Sequence, residues 1–409
     1  MRILFVFCLI IQFLTCTNAI AQQLLPYVYL TFEEVSTSHS VTVNFMTDGK
    51  SSPSHVSYWQ YSEIKGSSTN KIQVMSRVGK IDKVKRSFHH AKLDNLSADT
   101  TYYFIVGDDQ IGFSQQYKFR TLPEDNSPIT IVAGGDMGTS DKVSHVPQYA
   151  MTLEPHVLLI GGDLAYADGK TQKIDLWDQW FEQMVKVMIT PNGYLVPLIV
   201  AIGNHEVTTG VALPWAKAPF YTELFAQDNG NSFFTRELGQ NAMLLVLDSG
   251  HLNTHESQKN FIKKELKKYQ DLPHRLALYH APLYPNHRSE NDFLATSGRN
   301  HWLSVFDKYF LTVAFENHDH SLKRSKILKQ HAVSQQGTLY LGDGCWGKGD
   351  RQSNPQKWYL EKAYSENHVW SAEIQTQYID FMATAGREGQ LYDYFRLQNT
   401  SSKTIVKEL

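Results

Sequence analysis

Six short apolar runs between residues 129 and 316 constrain the fold of this chain more than any other feature. They read ITIVAG, HVLLIG, LIVAIG, MLLVLD, RLALYH and LTVAFE, and each has the character of a buried strand. Longer segments separate them, and two of these, KIDLWDQWFEQMVKVM and SQKNFIKKELKKYQ, repeat their apolar residues at helical spacing. Buried strands that alternate with helices predict a layered α/β domain, which we expect over residues 129–409.

The first part of the chain has a different pattern. Residues 22–122 contain short clusters of β-forming residues, among them YVYLTFEE, SVTVNFMT, HVSYWQYS and QQYKFRT, between breaks rich in Ser, Gly and Asp. Short strands at this density predict a small β-sandwich of immunoglobulin-like type. The polar segment TLPEDNSP (121–128) is typical of a linker. The predicted fold class is therefore an all-β sandwich followed by an α/β layered domain.

Residues 1–21, MRILFVFCLIIQFLTCTNAIA, have the pattern of a secretory signal peptide. They start with a basic residue, continue with an apolar stretch and end in Ala19-Ile20-Ala21. A membrane anchor is the weaker alternative, because the apolar run is short and interrupted by polar residues. We expect a secreted or extracytoplasmic protein, in a secretory, lysosome-like or periplasmic compartment according to the host. Asn95 and Asn399 begin triplets that accept glycans in a eukaryotic host.

Charge argues against a nucleic-acid-binding protein, and cysteine content argues against a fold that depends on disulfides. A net charge of -2 over 409 residues gives no electrostatic argument for nucleic acid as a partner. Cys8 and Cys16 lie in the predicted signal peptide, so Cys345 alone remains and no internal disulfide can form. The core must then be large enough to be stable without such links. Nothing in the sequence indicates an oligomeric state.

Five of the six apolar runs end in residues that can bind a metal ion. These residues are Asp136, Asp163, Asn204 with His205, His280, and His318 with His320. Ligands of α/β sheets bind beyond the carboxyl ends of the strands, so these side chains can meet in one crevice. The two carboxylates, the amide and at least three of these imidazoles exceed the needs of a single tetrahedral zinc. They suit two ions about 3.5–4 Å apart that share a carboxylate, an arrangement that serves phosphoryl transfer.

The order GD, GDxxY, GNHE, H and HxH resembles that of the purple acid phosphatases, within the calcineurin-like metallophosphoesterases. The resemblance covers nearly all of the chain after residue 21. TYYFIVGDDQIGFSQQYKFRTLP is similar to part of the fibronectin-type domain of larger members, and GTLYLGDGCWG and LYDYFRL resemble late strands of the family. The resemblance thus implies a fibronectin III-like sandwich over 22–122 and an α/β/β/α-type catalytic domain over 129–409.

The resemblance also implies a ligand set and a cofactor, Fe(III) with a second ion that is Zn, Fe or Mn. The ferric ligands would be Asp136, Tyr166 and His320, with Asp163 as the bridge, and the ligands of the second ion would be Asn204, His280 and His318. His205 would contact the substrate or protonate the leaving group. Many relatives in the wider superfamily have Asp-x-His at the first motif and aspartate in place of the tyrosine. Asp136-Met137-Gly138 and Tyr166 therefore indicate the ferric branch.

Two positions depart from the family pattern. Asn317 stands where the last motif usually has glycine, although asparagine tolerates left-handed turns better than most residues. Plant-type members carry a pair of histidines downstream of the His280 motif, whereas here only His287 is near. We assign His287 to substrate binding, with a solvated loop histidine as the alternative.

Other polar residues receive supporting or structural roles. We expect Asp168 and Glu206 to hydrogen-bond to the ligands rather than to bind metal. The pair His89-His90 is expected at the surface. His251 and His255 precede a helical segment, where solvated or capping roles are expected.

The predicted function is an acid phosphatase that hydrolyses small phosphate monoesters with a metal-bound hydroxide as nucleophile. A phosphodiesterase or nucleotidase at the same site is the close alternative. A non-catalytic binding protein with a vestigial metal domain is a third possibility, although the intact ligand set argues against it. Redox chemistry would require iron at both positions.

Overall fold

The computed structural model of the chain describes residues 24–49, 52–61, 71–208, 210–399 and 403–409. The predicted signal peptide, with Cys8 and Cys16, lies outside these ranges, as do Thr400 and Ser401 of the second glycan-acceptor triplet. Within the described ranges, no helix has the length and apolar character needed to cross a membrane.

The N-terminal part consists of strands. They are β1 (Leu24–Thr31), β2 (Val41–Asp48), β3 (His55–Gln60), β4 (Ile72–Met75), β5 (Arg77–Gly79), β6 (Arg86–Leu93), β7 (Thr101–Asp108), β8 (Gly112–Phe113) and β9 (Tyr117–Arg120). In one sheet β4, β3, β7 and β8 are neighbours, and β9 also pairs with β7. The other four strands are consecutive in a larger sheet, in the order β1, β2, β6, β5.

The rest of the chain alternates strands and helices. Its strands are β10 (Ile129–Gly134), β11 (Val157–Ile160), β12 (Leu198–Val200), β13 (Phe234–Leu238), β14 (Ala242–Val246), β15 (His274–Leu278), β16 (Val313–Phe315), β17 (Leu322–Ser325), β18 (Leu328–Lys329), β19 (Ala332–Val333), β20 (Leu339–Gly342), β21 (Leu360–Tyr364), β22 (Val369–Ile374), β23 (Ile379–Ala385), β24 (Gln390–Asn399) and β25 (Thr404–Glu408). Its helices are α1 (Lys142–His145), α2 (Gln148–Met151), α3 (Ile174–Met184), α4 (Pro219–Leu224), α5 (His255–Lys268) and α6 (Phe293–Lys308). Short 3₁₀ turns cover Thr171–Lys173, Trp215–Lys217 and Asp228–Gly230.

Two large sheets organise these strands. The first runs β25-β24-β23-β22-β10-β11-β12-β1-β2-β6-β5, and the second runs β13-β14-β15-β16-β20-β17-β21. All six apolar runs contain strands, and β10, β11 and β12 are parallel neighbours in one sheet, as β14, β15 and β16 are in the other. The prediction of an N-terminal all-β region followed by an α/β domain is confirmed.

The N-terminal strands also extend the first large sheet. Thr31 of β1 pairs in parallel with Leu198 of β12, so one sheet runs through both parts of the chain. A single apolar core includes Leu30, Val43 and Ile160, which come from both regions. The two regions therefore share a sheet and an apolar core. The linker-like composition of residues 121–128 did not indicate this shared packing.

The helices form where the sequence supplies an apolar face and a suitable start. In α3, Trp177, Trp180 and Phe181 are buried on the face that packs on the core. The Thr254 side chain accepts a hydrogen bond from the Ser257 amide at the start of α5, and Asp292 caps α6 in the same way. Both caps satisfy amides that the helix itself leaves without a partner.

A buried ion cluster lies at the carboxyl ends of β16 and β20 in the second sheet. The Lys323 ammonium of β17 is 2.5 Å from Glu316 and 2.6 Å from Asp343, and all three side chains are excluded from solvent. Burial alone lowers the pKa of Lys323, but the two carboxylates raise it overall. The main-chain carbonyl of Asp343 accepts from the His320 amide at 2.9 Å, so the ion cluster supports the loop that carries a predicted metal ligand.

We expect Lys323→Met to destabilise the protein by about 3–5 kcal/mol, because it leaves two buried carboxylates without a counter-charge. Urea denaturation followed by circular dichroism measures the change. Lys263→Met, at an exposed position of α5, is the matched control. A loss no larger than that of the control would show that the buried cluster does not stabilise the fold.

Candidate metal centre

The predicted ligands come from the carboxyl ends of parallel strands in both sheets. Asp136 lies two residues after β10, and Asp163 lies three residues after β11. Asn204 follows β12, His280 follows β15, and the pair His318 and His320 follows β16. The single site therefore forms where the strand ends of the first sheet face those of the second.

One group of side chains surrounds Asp136. Its Oδ1 is 2.9 Å from His320 Nε2 and 3.5 Å from the Tyr166 hydroxyl. The Tyr166 hydroxyl is itself 3.2 Å from His320 Nε2. Asp136 is fully buried, and His320 is nearly so. One carboxylate, one phenol and one imidazole therefore converge on a common point.

A second group surrounds His280. Its Nε2 is 3.0 Å from Asn204 Oδ1, 3.0 Å from His318 Nδ1 and 3.2 Å from Asp163 Oδ2. Its other ring nitrogen, Nδ1, is 2.8 Å from the Gly161 carbonyl and must donate in this hydrogen bond, because a carbonyl oxygen can only accept. This hydrogen bond leaves Nε2 as the nitrogen that faces the group.

The two groups are adjacent. Single ligand atoms of Asp136, Asp163, His280 and His318 all lie within 4.8 Å of one another. A ring nitrogen with one proton can satisfy one acceptor, whereas His280 Nε2 faces three polar atoms. Carboxylate, amide and imidazole atoms gathered in a largely buried site are the donor set expected for cations. The residues fit a pair of metal ions.

Backbone strain accompanies the convergence. Asp136, Asp163, Tyr166, His318 and His320 all have positive φ, between 52° and 77°. Non-glycine residues rarely adopt these angles, and their presence is typical of functional sites. The hydrogen bonds from the Asp136 amide to Gly162 and from the His318 amide to Asp136 Oδ2 help to hold two of these turns.

Burial and neighbouring charge shift the proton affinities of the site. Burial alone raises the pKa of Asp163, but the nearby His280 lowers it overall to well below its usual range. Burial lowers the pKa of His280, but Asp163 and Asp136 raise it to about 9. Burial and then the charges of Asp136 and Asp163 raise the pKa of Tyr166 far above its usual value. Without a cation, this tyrosine is therefore a neutral phenol.

Glu206 hydrogen-bonds to a predicted ligand, as expected, whereas Asp168 bonds to His205, which is not one of the predicted ligands. Glu206 is buried and accepts from the amides of Asp163, Leu164 and Gly203 at 2.7–2.8 Å. Burial and the charge of Asp163 raise the pKa of the Glu206 carboxyl. Asp168 Oδ1 is 2.7 Å from His205 Nδ1 and orients that ring.

The two predicted catalytic histidines differ in position. His205 is about one-third exposed, its Nε2 is 3.9 Å from Asp163 Oδ2, and its ring centroid is 4.1 Å from that of Tyr166. His287 is exposed, and its Nδ1 is 2.9 Å from the Gln352 carbonyl. No hydrogen bond joins the His287 side chain to a predicted ligand among the residues described.

Asn317 fills space that three glycines leave open. A Cβ atom at Gly135, Gly161 or Gly344 would lie 2.6, 1.8 or 2.8 Å from atoms of the Asn317 side chain. The Asn317 amide nitrogen donates to the Tyr279 carbonyl at 2.9 Å. The left-handed turn expected at this position occurs instead at His318 and His320, so the asparagine is accommodated by packing.

Four expectations about other histidines were wrong. His89 and His90 are buried in β6, where His89 is hydrogen-bonded to Thr47 and Ser76 and His90 to Asn44. His251 and His255 are also buried. The His251 ring packs 5.8 Å from the ring of His280, and the His255 ring packs 4.5 Å from Trp302.

Sequence reasoning missed three cations beside the centre. Arg288 and Arg351 both donate to the His318 carbonyl, at 2.8 and 3.3 Å. The Lys348 ammonium lies 3.9 Å from the centre of the Tyr166 ring. The only indication in the sequence was the basic pair in KGDR (348–351). This segment has no strand or helix pattern from which its position near the metal ligands could be predicted.

Two family profiles match the chain. The profile of the purple acid phosphatase N-terminal domain matches residues 26–121, and that of the calcineurin-like phosphoesterases matches residues 129–322. Together they span most of the sequence.

Individual relatives agree with these profiles. Purple acid phosphatase 18 of Arabidopsis thaliana is 27% identical over 348 residues, which are 77% of this chain and 70% of the relative. A relative named Fe(3+)-Zn(2+) purple acid phosphatase 12, from the same plant, is 26% identical over 60% of this chain and 54% of its own length.

A solved structure of purple acid phosphatase PPD1 from yellow lupin (Lupinus luteus) seeds has a similar fold. It superposes with a TM-score of 0.79 at 18% identity and covers 93% of this chain and 75% of the lupin chain. The predictions of a phosphatase of this family and of a metal-binding cofactor site are confirmed. The chain belongs to the purple acid phosphatases, within the calcineurin-like phosphoesterases.

Proposed function

We propose that the protein hydrolyses phosphate monoesters at a pair of metal ions, Fe(III) and a second ion that is Zn, Fe or Mn. The observation that carries the proposal is the junction of two ligand groups at Asp163, whose carboxylate lies beside both. The relative with Fe(3+)-Zn(2+) in its name supports the pair of metals. All seven predicted ligands are retained, which argues against a vestigial metal domain.

The ligands divide between the ions according to the two groups. Asp136, Tyr166 and His320 would hold Fe(III), and Asn204, His280 and His318 would hold the second ion, with Asp163 shared. The metal pair, when bound, supplies Lewis acidity that activates water and neutralises charge on the phosphate. The chain itself fixes the side chains through the Gly161 and Gly349 carbonyls, which bond to His280 and His320.

His205 is the proposed proton donor to the leaving-group oxygen. Asp168 orients its Nδ1, so Nε2 faces the centre, and its partial exposure gives a substrate access to it. His287 stays a prediction as a substrate residue, and its exposed position is also compatible with the solvated alternative.

We also propose that the protein is exported and glycosylated. The leader-like residues 1–21 support export. Asn95 is exposed in a turn, as a glycan acceptor must be.

We expect Asp163→Ala to lose both metal ions, because its carboxylate serves both groups. Metal content per chain, measured by plasma mass spectrometry, tests this. His280→Ala should deplete mainly the second ion, and Asp350→Ala, at an exposed carboxylate outside the cluster, should keep both. Full occupancy of both sites in Asp163→Ala would contradict the bridging role.

The purified protein should be pink to violet, and Tyr166→Phe should abolish that colour. A phenol keeps its proton at low pH unless a strongly acidic cation such as Fe(III) removes it, and burial raises the pKa of Tyr166 further. Visible absorption spectra together with iron analysis measure the effect, and Tyr61→Phe, at an exposed tyrosine, is the control. A colourless, fully active protein containing only zinc or manganese would exclude the ferric assignment.

His205→Ala should slow turnover by about 10²-fold or more while the metal content stays constant. The loss should be larger for alkyl phosphates than for nitrophenyl phosphate, because poor leaving groups need the proton most. Asp168→Asn should show the same trend more weakly, and His55→Ala in β3 serves as the control. Equal slowing for both esters would assign His205 to phosphate positioning instead.

A further inference from the structure

Three cations form a rim on one side of the metal centre. We use the name cationic rim for Arg288, Lys348 and Arg351. Two of them donate to the main-chain carbonyl of His318, and the third lies over the ring of Tyr166. The proposed mechanism uses none of the three.

The loop that carries Lys348 and Arg351 is attached directly to the ligand residues. The Lys348 amide donates to the Asp136 carbonyl at 2.9 Å, and the Arg351 amide donates to the His320 carbonyl at 2.8 Å. Between them, the Gly349 carbonyl is 3.1 Å from His320 Nδ1. The positions of the two cations relative to the centre are therefore set by three main-chain contacts.

A second loop is joined to the first. His287 Nδ1 is 2.9 Å from the Gln352 carbonyl, and the Asn354 amide donates to Asn286 Oδ1 at 2.9 Å. These bonds place Arg288 on the same side of the centre as Arg351. The cationic rim is thus formed by two loops that are hydrogen-bonded to each other.

The charges of the rim are only partly compensated. Arg288 is paired with the buried Asp319 at 2.6 Å. Among the residues described, neither Lys348 nor Arg351 has a carboxylate within ion-pair distance, and the exposed Asp350 between them contacts neither. Lys348 is exposed and Arg351 is partly exposed, so both can meet a ligand from solvent.

We propose that Lys348 and Arg351 determine specificity by binding a second phosphate carried on the leaving group, so that bisphosphates are preferred over simple monoesters. Guanidinium and ammonium groups without an acidic partner are the usual protein ligands of phosphate. The linker between the two phosphates must be a few bonds long, because Arg351 contacts the main chain of His318 while the His318 ring belongs to the centre. This inference rests on the proposed monoesterase function.

The reaction itself is unchanged by the subsite. Water supplies the oxygen that bonds to phosphorus, the bond from phosphorus to the ester oxygen breaks, and that oxygen takes the electron pair and a proton. The products are inorganic phosphate and an alcohol that still carries the second phosphate.

Propane-1,3-diol bisphosphate and 3-hydroxypropyl phosphate test the proposal, because their leaving groups share one propyl chain and differ only in whether it carries a second phosphate. For each of Lys348→Gln and Arg351→Gln, the ratio of kcat/KM for the bisphosphate to that for the monophosphate should fall about tenfold, the effect of losing one charge-assisted contact. Arg351→Lys should restore part of the ratio, since it keeps the charge. Lys263→Gln should leave the ratio at its wild-type value.

Inhibition gives a second readout that does not depend on turnover of the bisphosphate. Propane-1,3-diphosphonate should inhibit monophosphate hydrolysis more strongly than propylphosphonate does, and the two glutamine variants should remove most of that difference. Equal losses on both substrates would overturn the proposal, since the rim would then bind the scissile phosphate. Absence of monophosphate hydrolysis in the metal-replete wild type would instead refute the proposed function.

Discussion

Two carboxylates that are removed from water, Asp136 and Asp163, are the constraint on which the rest of this structure depends. Buried negative charge is tolerated only where positive charge or strong hydrogen-bond donors compensate it. Imidazoles, main-chain amides and the proposed metal pair all serve that need. Glu206 adds a third buried carboxyl, and the three amides that it accepts from are those of the turns around Asp163 and Gly203.

The meeting of two sheets makes this concentration of polar groups possible. Each strand end can deliver only one or two side chains to a given point, so a single parallel sheet would supply a smaller set. Here β10, β11 and β12 of one sheet face β15 and β16 of the other, and each contributes ligands from the turn that follows it. The buried cluster around Lys323 includes Asp343, whose main-chain carbonyl accepts from the His320 amide and so holds the turn after β16.

The sequence was sufficient to predict the ligands at the strand ends, but not the residues that pack around them. Asp163 and His280 could be predicted because each follows a run whose composition identifies a buried strand. His89 could not be placed, since its burial depends on β5 and β2 flanking β6 and on hydroxyl partners that are distant in sequence. Arg351 was missed because it lies in a loop, and a loop sequence has no periodicity from which its contact with His318 could be predicted.

The packing of Asn317 against three glycines has an evolutionary consequence. Adding one methyl group to Gly135, Gly161 or Gly344 would create overlap with the asparagine, and at Gly344 also with Asp136, while shortening the asparagine would remove its bond to Tyr279. The residues at positions 135 and 161 therefore cannot change independently of Asn317. Such epistasis means that side chains larger than glycine are excluded at these two positions for as long as residue 317 is asparagine.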